Sequence, residues 1–281
     1  MSENKMSSLL SSKRLRWLAA AIVIVNGLFP ALWILTTSLK GEVELTAKPI
    51  TYLPHNPTLQ NFISAFRDQP LLTYLLNSGI VAISSTMLSL FISALAAYAI
   101  ARLNLKRRDL ILTSIIAVSM FPLVTLMVPL FEIMRAASLL NSYWALILPY
   151  TVLNLPICTL MLVSFFHDIS RDIENAAMLD GCTRLGALWR IVVPLAAPGV
   201  FTAGILAFVN SWDEFLLALS LNSAVAYRTL PVGIQMYQGE FAFPWPIISA
   251  ALVVAMVPVV IVIVVFQDKV VSGLTSGGLK G

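Results

Sequence analysis

Six long apolar runs, near 17–37, 74–101, 110–134, 143–166, 198–221 and 243–267, are separated by polar, charged or proline-rich segments. Crossing a hydrocarbon core of about 30 Å takes about 20 helical residues, and each run is long enough. The pattern predicts an all-α polytopic membrane protein of six transmembrane helices, with both termini on one side. Composition agrees: 58% of residues are apolar and 11% charged, whereas a soluble domain carries about 25% charged residues. The first run follows a basic cluster at Lys13, Arg14 and Arg16. It is too long for the apolar part of a secretory signal and no small-x-small cleavage pattern follows, so it reads as a retained helix.

Charge sets the orientation. Lys5, Lys13, Arg14, Arg16, Arg102, Lys106, Arg107, Arg108, Arg171, Arg184, Arg190, Lys269 and Lys280 flank the runs on one side. Lys40, Lys48, Arg67, Arg135 and Arg228 make up the rest. By the positive-inside rule the larger set faces the cytoplasm, with both termini. The formal net charge of +4 is spread over four juxtamembrane segments, so it is a topology signal and not a nucleic-acid footprint.

Between the fourth and fifth runs lies a polar stretch, Ile173–Pro198. Asp172 and Glu174 suit a helix N-terminus, Asp180-Gly181 ends that helix, and Thr183 can cap the next. The stretch reads as a helix-turn-helix, a grammar that an ordinary amphipathic surface hairpin shares. It resembles the cytoplasmic coupling loop of inner-membrane permease subunits of binding-protein-dependent ABC sugar importers. Their Glu-Ala-Ala, Gly and Ile-x-Leu-Pro elements are matched by Asn175-Ala176-Ala177, Gly181 and Ile191-Val192-Val193-Pro194. Asn175 stands where the family has its first Glu, and Glu174 is one position earlier.

The resemblance implies the fold of an ABC type I importer permease and an energy-coupling role. Glu174, Asn175, Ala176, Ala177, Asp180, Gly181, Arg184 and Trp189 would then meet a separate ATPase. Small residues permit close approach, and Leu179, Leu185, Leu188 and Trp189 supply apolar anchors. The implied partners are a second permease subunit, an ATPase dimer that binds ATP and Mg, a periplasmic or lipid-anchored substrate-binding protein, and lipid of the bacterial inner (plasma) membrane. The chain divides into 1–72 (N-terminus, first span and periplasmic connection), 73–267 (permease core, with the coupling loop at about 168–195) and 268–281 (cytoplasmic tail). That tail, with Gly277, Gly278 and Lys280, resembles the glycine-rich ending of the smaller, maltose-type permease, which reaches into the ATPase interface. It is not a phosphate-binding loop, since Leu279 separates Gly278 from Lys280 and no strand precedes it. The chain therefore has no nucleotide site and no cofactor of its own, and is not an enzyme.

Within the membrane, Asn210-Ser211-Trp212-Asp213-Glu214 is the notable chemistry. Carboxylates in an apolar helix are costly and should face a watery cavity or another helix. Asn210, Trp212, Asp213 and Glu214 are the candidate lining of a translocation pathway, or else interhelical hydrogen-bonding groups. An ion-coupled secondary transporter using Asp213 and Glu214 is the alternative, but such proteins usually show internal repeats and none is convincing here. Few cations fall in the spans, so a neutral carbohydrate or polyol is expected over an anion. Cys158, Cys182, His55 and His167 have no ligand spacing, so no metal site is expected. The segment 38–73, rich in proline, should be irregular, with a short amphipathic helix around Leu59–Phe66.

Overall fold

The computed structural model describes residues 3–103, 105–239 and 243–278, with side chains over 15–103, 105–239 and 243–267. Its helices are α1 (Glu3–Ser38), α2 (Glu42–Leu45), α3 (Gln60–Asp68), α4 (Leu71–Arg102), α5 (Arg108–Ser119), α6 (Leu123–Ala136) and α7 (Trp144–Asp168). There follow α8 (Arg171–Leu179), α9 (Arg184–Ala187), a wide π turn over Leu188–Val192, α10 (Val193–Leu195), α11 (Ala197–Asp213), α12 (Leu216–Leu221), α13 (Leu230–Gln235) and α14 (Trp245–Gly278).

Among the described residues four helices are long and apolar enough to cross a membrane: Leu15–Ser38, Leu71–Arg102, Trp144–Asp168 and Trp245–Gln267. Counting each of two bent pairs as one span gives up to six. The run at 110–134 is not one straight helix, because α5 and α6 meet at 90° across Met120–Pro122. Pro122 cannot extend α5, lacking an N–H, and its fixed φ suits the entry to α6. The fifth run is also shorter than its hydropathy suggests. Arg184–Leu195 and Ala197–Asp213 form an 82° elbow, and α11 stops at Asp213 rather than running on to residue 221.

The residues form two compact units. One comprises the chain up to Gln69 together with Met236–Met256. Its α1 is exposed along its apolar length, as a lipid-facing helix must be. After it, the 38–69 connection is more ordered than its prolines suggest. Lys40, 2% exposed, donates to the Thr51 carbonyl and lies 5.2 Å over the Trp33 ring. Asn61 Nδ2 donates to the carbonyls of Ser38 and Lys40, each at 2.8 Å. The expected amphipathic helix is α3.

The other unit, Pro70–Gln235 with the chain from Val257, is built on α4, α7 and α11. Ser85, Ser89, Ser93, Ala97 and Ala101 recur every fourth residue of α4 and are buried. Side chains four apart share a helix face, so this ladder of small groups lets α7 and α11 approach closely. Hydroxyls then bridge the helices: Thr159 Oγ1 donates to Ser93 Oγ at 3.1 Å, Ser89 Oγ to the Thr151 carbonyl at 3.2 Å, and Ser85 Oγ to Ser211 Oγ at 3.0 Å. Contact is closest where glycine sits. A Cβ on Gly199 would lie 2.2 Å from the Phe165 ring, and one on Gly233 2.0 Å from the Tyr74 ring.

Candidate functional site

Local sequence explains the 171–195 segment step by step. Ser170 Oγ accepts the Asp172 amide and caps α8, while Thr183 Oγ1 accepts the Gly186 amide and caps α9. Between them, the Cys182 amide donates to the Ala177 carbonyl and the Gly181 amide to Met178, a Schellman closure whose left-handed residue is Gly181 at φ +90°. Nothing stands within 4 Å of where a Gly181 Cβ would be. Backbone conformation, not crowding within this chain, is what demands glycine there.

The segment has an inner and an outer side. Glu174 is buried and Tyr98 donates a short hydrogen bond to its Oε1. Its Oε2 stands 3.0 Å from Arg102 Nε, without hydrogen-bond alignment. Arg102 also donates through Nη2 to the Ile169 carbonyl, and Arg171 to that of Ala101 at 3.3 Å. Glu174 therefore ties α8 to the end of α4 instead of facing outward. Leu188 is fully buried as well, and Trp189 stacks on Phe91 at 5.4 Å. On the outer side Asn175, Ala176, Asp180, Gly181 and Arg184 are exposed, with Ala177 half-buried. Leu179 is 89% and Leu185 59% exposed, forming an apolar knuckle at the turn. A cavity of about 120 Å³ lies behind it, with Arg102, Arg171, Arg184, Glu174 and Asn175 in its wall.

The second cluster lies where α11 breaks. Glu214 Oε1 accepts the Leu217 amide at 2.8 Å, and Oε2 accepts the Ala218 amide at 3.1 Å and the Tyr150 hydroxyl at 2.5 Å. Asn154 Nδ2 donates to Ser211 Oγ at 2.9 Å, and Asn210 Nδ2 approaches Asn154 Oδ1 at 3.5 Å. These groups border a cavity of about 280 Å³. Of the four residues expected to line a pathway, Asn210 and Glu214 border it. Asp213 is exposed and is not in its wall, and Trp212 is buried against Phe208 at 5.5 Å. Tyr150, Asn154 and Ser211 are members of the cluster that the sequence analysis did not assign to it. The signal available for Asn154 was a polar residue two places before Pro156 in an apolar run.

The family model of the binding-protein-dependent transport system inner membrane component matches residues 89–276, which take in both clusters. The chain belongs to this family. It is a permease subunit of an ATP-driven importer of the inner membrane, not an enzyme, and the ATPase is a separate subunit. Over 276 residues it is 73% identical to the sulfoquinovosyl glycerol transport system permease of Agrobacterium fabrum, covering 98% of this chain and 97% of that one. It is 38% identical to the trehalose transport permease of Mycobacterium tuberculosis (92% and 95% covered) and 36% to the trehalose/maltose permease of Thermococcus litoralis (94% and 95%). A solved bacterial ABC transporter that imports the acidic polysaccharide alginate matches this permease with a TM-score of 0.79 at 20% identity, covering 95% of this chain and 98% of that one. The family assignment leaves the ion-coupled alternative without support. The expected tail contacts divide: Gly277 and Gly278 fall within the backbone of α14, and Lys280 lies outside the described residues.

Proposed function

We propose that this permease forms half of the pathway for a carbohydrate, with sulfoquinovosyl glycerol the first candidate, and that the 171–195 segment is its cytoplasmic coupling element. The observation that carries the coupling role is the exposed knuckle of Leu179, Asp180, Gly181 and Leu185 mounted on a buried tie to α4. A force applied to the knuckle is passed to a membrane helix through an ion pair rather than through a loop. The permease works with a second permease subunit, an ATPase dimer that binds ATP and Mg, and a substrate-binding protein that is periplasmic or lipid-anchored. Both termini are cytoplasmic, and the tail with Gly277, Gly278 and Lys280 contacts the ATPase.

The 73% relative supplies the substrate candidate, and the hydroxyl and amide groups around Glu214 suit sugar hydroxyls. The test is reconstitution of the whole importer in proteoliposomes, followed by ATP-dependent uptake of sulfoquinovosyl glycerol, trehalose and maltose. Uptake of the first above the others is expected, and so is loss of the co-purifying ATPase from a chain lacking 173–195. Retention of the ATPase by that chain refutes the coupling role; uptake of none of the three refutes the carbohydrate.

A further inference from the structure

Two interruptions of the helices border one cavity. Phe121, from the 90° break between α5 and α6, and Glu214, in the gap between the end of α11 at Asp213 and the start of α12 at Leu216, both line the cavity of about 280 Å³. Tyr150 and Asn154 of α7 and Asn210 of α11 line it as well. Irregular backbone at membrane depth persists only where it is buried in protein or lines a watery cavity, and in transporters such broken helices border the substrate. The volume is close to the roughly 300 Å³ at which small-molecule sites begin.

We propose that this cavity is a carbohydrate subsite that holds the hydroxyl-rich, uncharged part of the transported molecule. The inference rests on the carbohydrate reading above and adds that this subunit itself contacts the sugar. Three of about four acceptor positions on Glu214 are taken by Tyr150 and the two α12 amides, which leaves one for a substrate hydroxyl. Asn210 is exposed and makes only its 3.5 Å approach to Asn154 among the described residues, so its amide is free to donate and its carbonyl to accept. Phe121, 53% exposed, offers an apolar wall for the carbon face of a sugar ring. No lysine or arginine is among the lining residues, and the Glu214 carboxylate repels anions. A sulfonate or carboxylate on the same substrate is therefore held outside this cavity.

The test uses the full importer in proteoliposomes with diazirine derivatives of sulfoquinovosyl glycerol and of trehalose, each bearing the photoreactive group on a hydroxyl-rich end. Illumination during transport should label residues within 119–123, 150–154 or 210–214 of this permease. Asn210→Ala and Phe121→Ala should each cut labelling and uptake by about tenfold, the scale of a lost hydrogen bond or apolar contact, while still co-purifying with the ATPase. Labelling confined to the partner permease, or unchanged uptake in both variants, overturns the subsite. Absence of ATP-dependent carbohydrate uptake by the unsubstituted importer overturns instead the function on which it rests.

Discussion

Glu174 and Glu214 are both carboxylates held by a tyrosine, yet their surroundings differ in one respect that separates their work. Glu174 has a cation: Arg102 stands 3.0 Å away, and the two side chains are 5% and 8% exposed. Glu214 has none among the described residues, and is held by two backbone amides and a phenol. A buried ion pair is costly to break, which suits a joint that must transmit displacement. A carboxylate satisfied by three neutral donors has a spare acceptor position, which suits a surface that meets hydroxyl groups.

Removing one member of the ion pair is the severest way to break this contrast. Arg102→Ala leaves Glu174 buried and uncompensated, a loss of about 3–5 kcal/mol. Uptake should fall to background, with thermal unfolding of the purified complex at a lower temperature. A variant with unchanged uptake would show that the joint does not couple. Gly181→Val comes next, since a β-branched residue at φ +90° costs about 1–3 kcal/mol. It should uncouple ATP hydrolysis from transport with the membrane helices still inserted, which simultaneous assay of the two rates would reveal. Glu214→Gln removes a charge from hydrogen bonds worth about 1.5–3 kcal/mol and should lower uptake roughly tenfold. Asp213→Asn, on an exposed side chain outside the cavity wall, should stay close to the unsubstituted rate. Equal losses for the two would erase the distinction drawn at the α11 break.

A smaller effect tests a carboxylate outside both regions. The backbone amide of His55 on Glu44 Oε1, aided by the His55 ring and the Thr51 hydroxyl, holds the Glu44 carboxyl below its ordinary 4.5. A depressed carboxyl stabilises the fold above its unfolded value and loses that contribution as pH falls through the folded one. Protection of the His55 amide against hydrogen exchange, relative to its intrinsic rate, should therefore fall only below about pH 4.5, and the change should be absent in Glu44→Gln.

Much of the 171–195 segment was legible because its signals are local. Thr183 and the Asp180-Gly181 pair act through bonds to residues a few positions away, and spacing alone carries that information; the Ser170 cap is equally local but was not read from the sequence. Glu174 was not legible as a joint, since its partners Tyr98 and Arg102 are more than 70 residues distant. The membrane cluster divides the same way. The carboxylates at 213 and 214 stood out by hydropathy, but only the break after Asp213 turns Glu214 toward Tyr150 and leaves Asp213 exposed. The serine ladder of α4 is a four-residue repeat whose polarity is masked by the apolar run around it.

Hydropathy by itself determined that this chain is helical and membrane-embedded, because the bilayer demands internal backbone hydrogen bonds and imposes a span length. The motif around Ala176, Ala177 and Gly181 determined the family, because its turn chemistry is encoded over a few consecutive residues. Tertiary structure decided where the helices bend, which of two adjacent carboxylates meets a cavity, and which glutamate ties the 171–195 segment to α4. Those outcomes depend on close packing among α4, α7 and α11, where a buried polar group must find its partner wherever in the chain that partner lies.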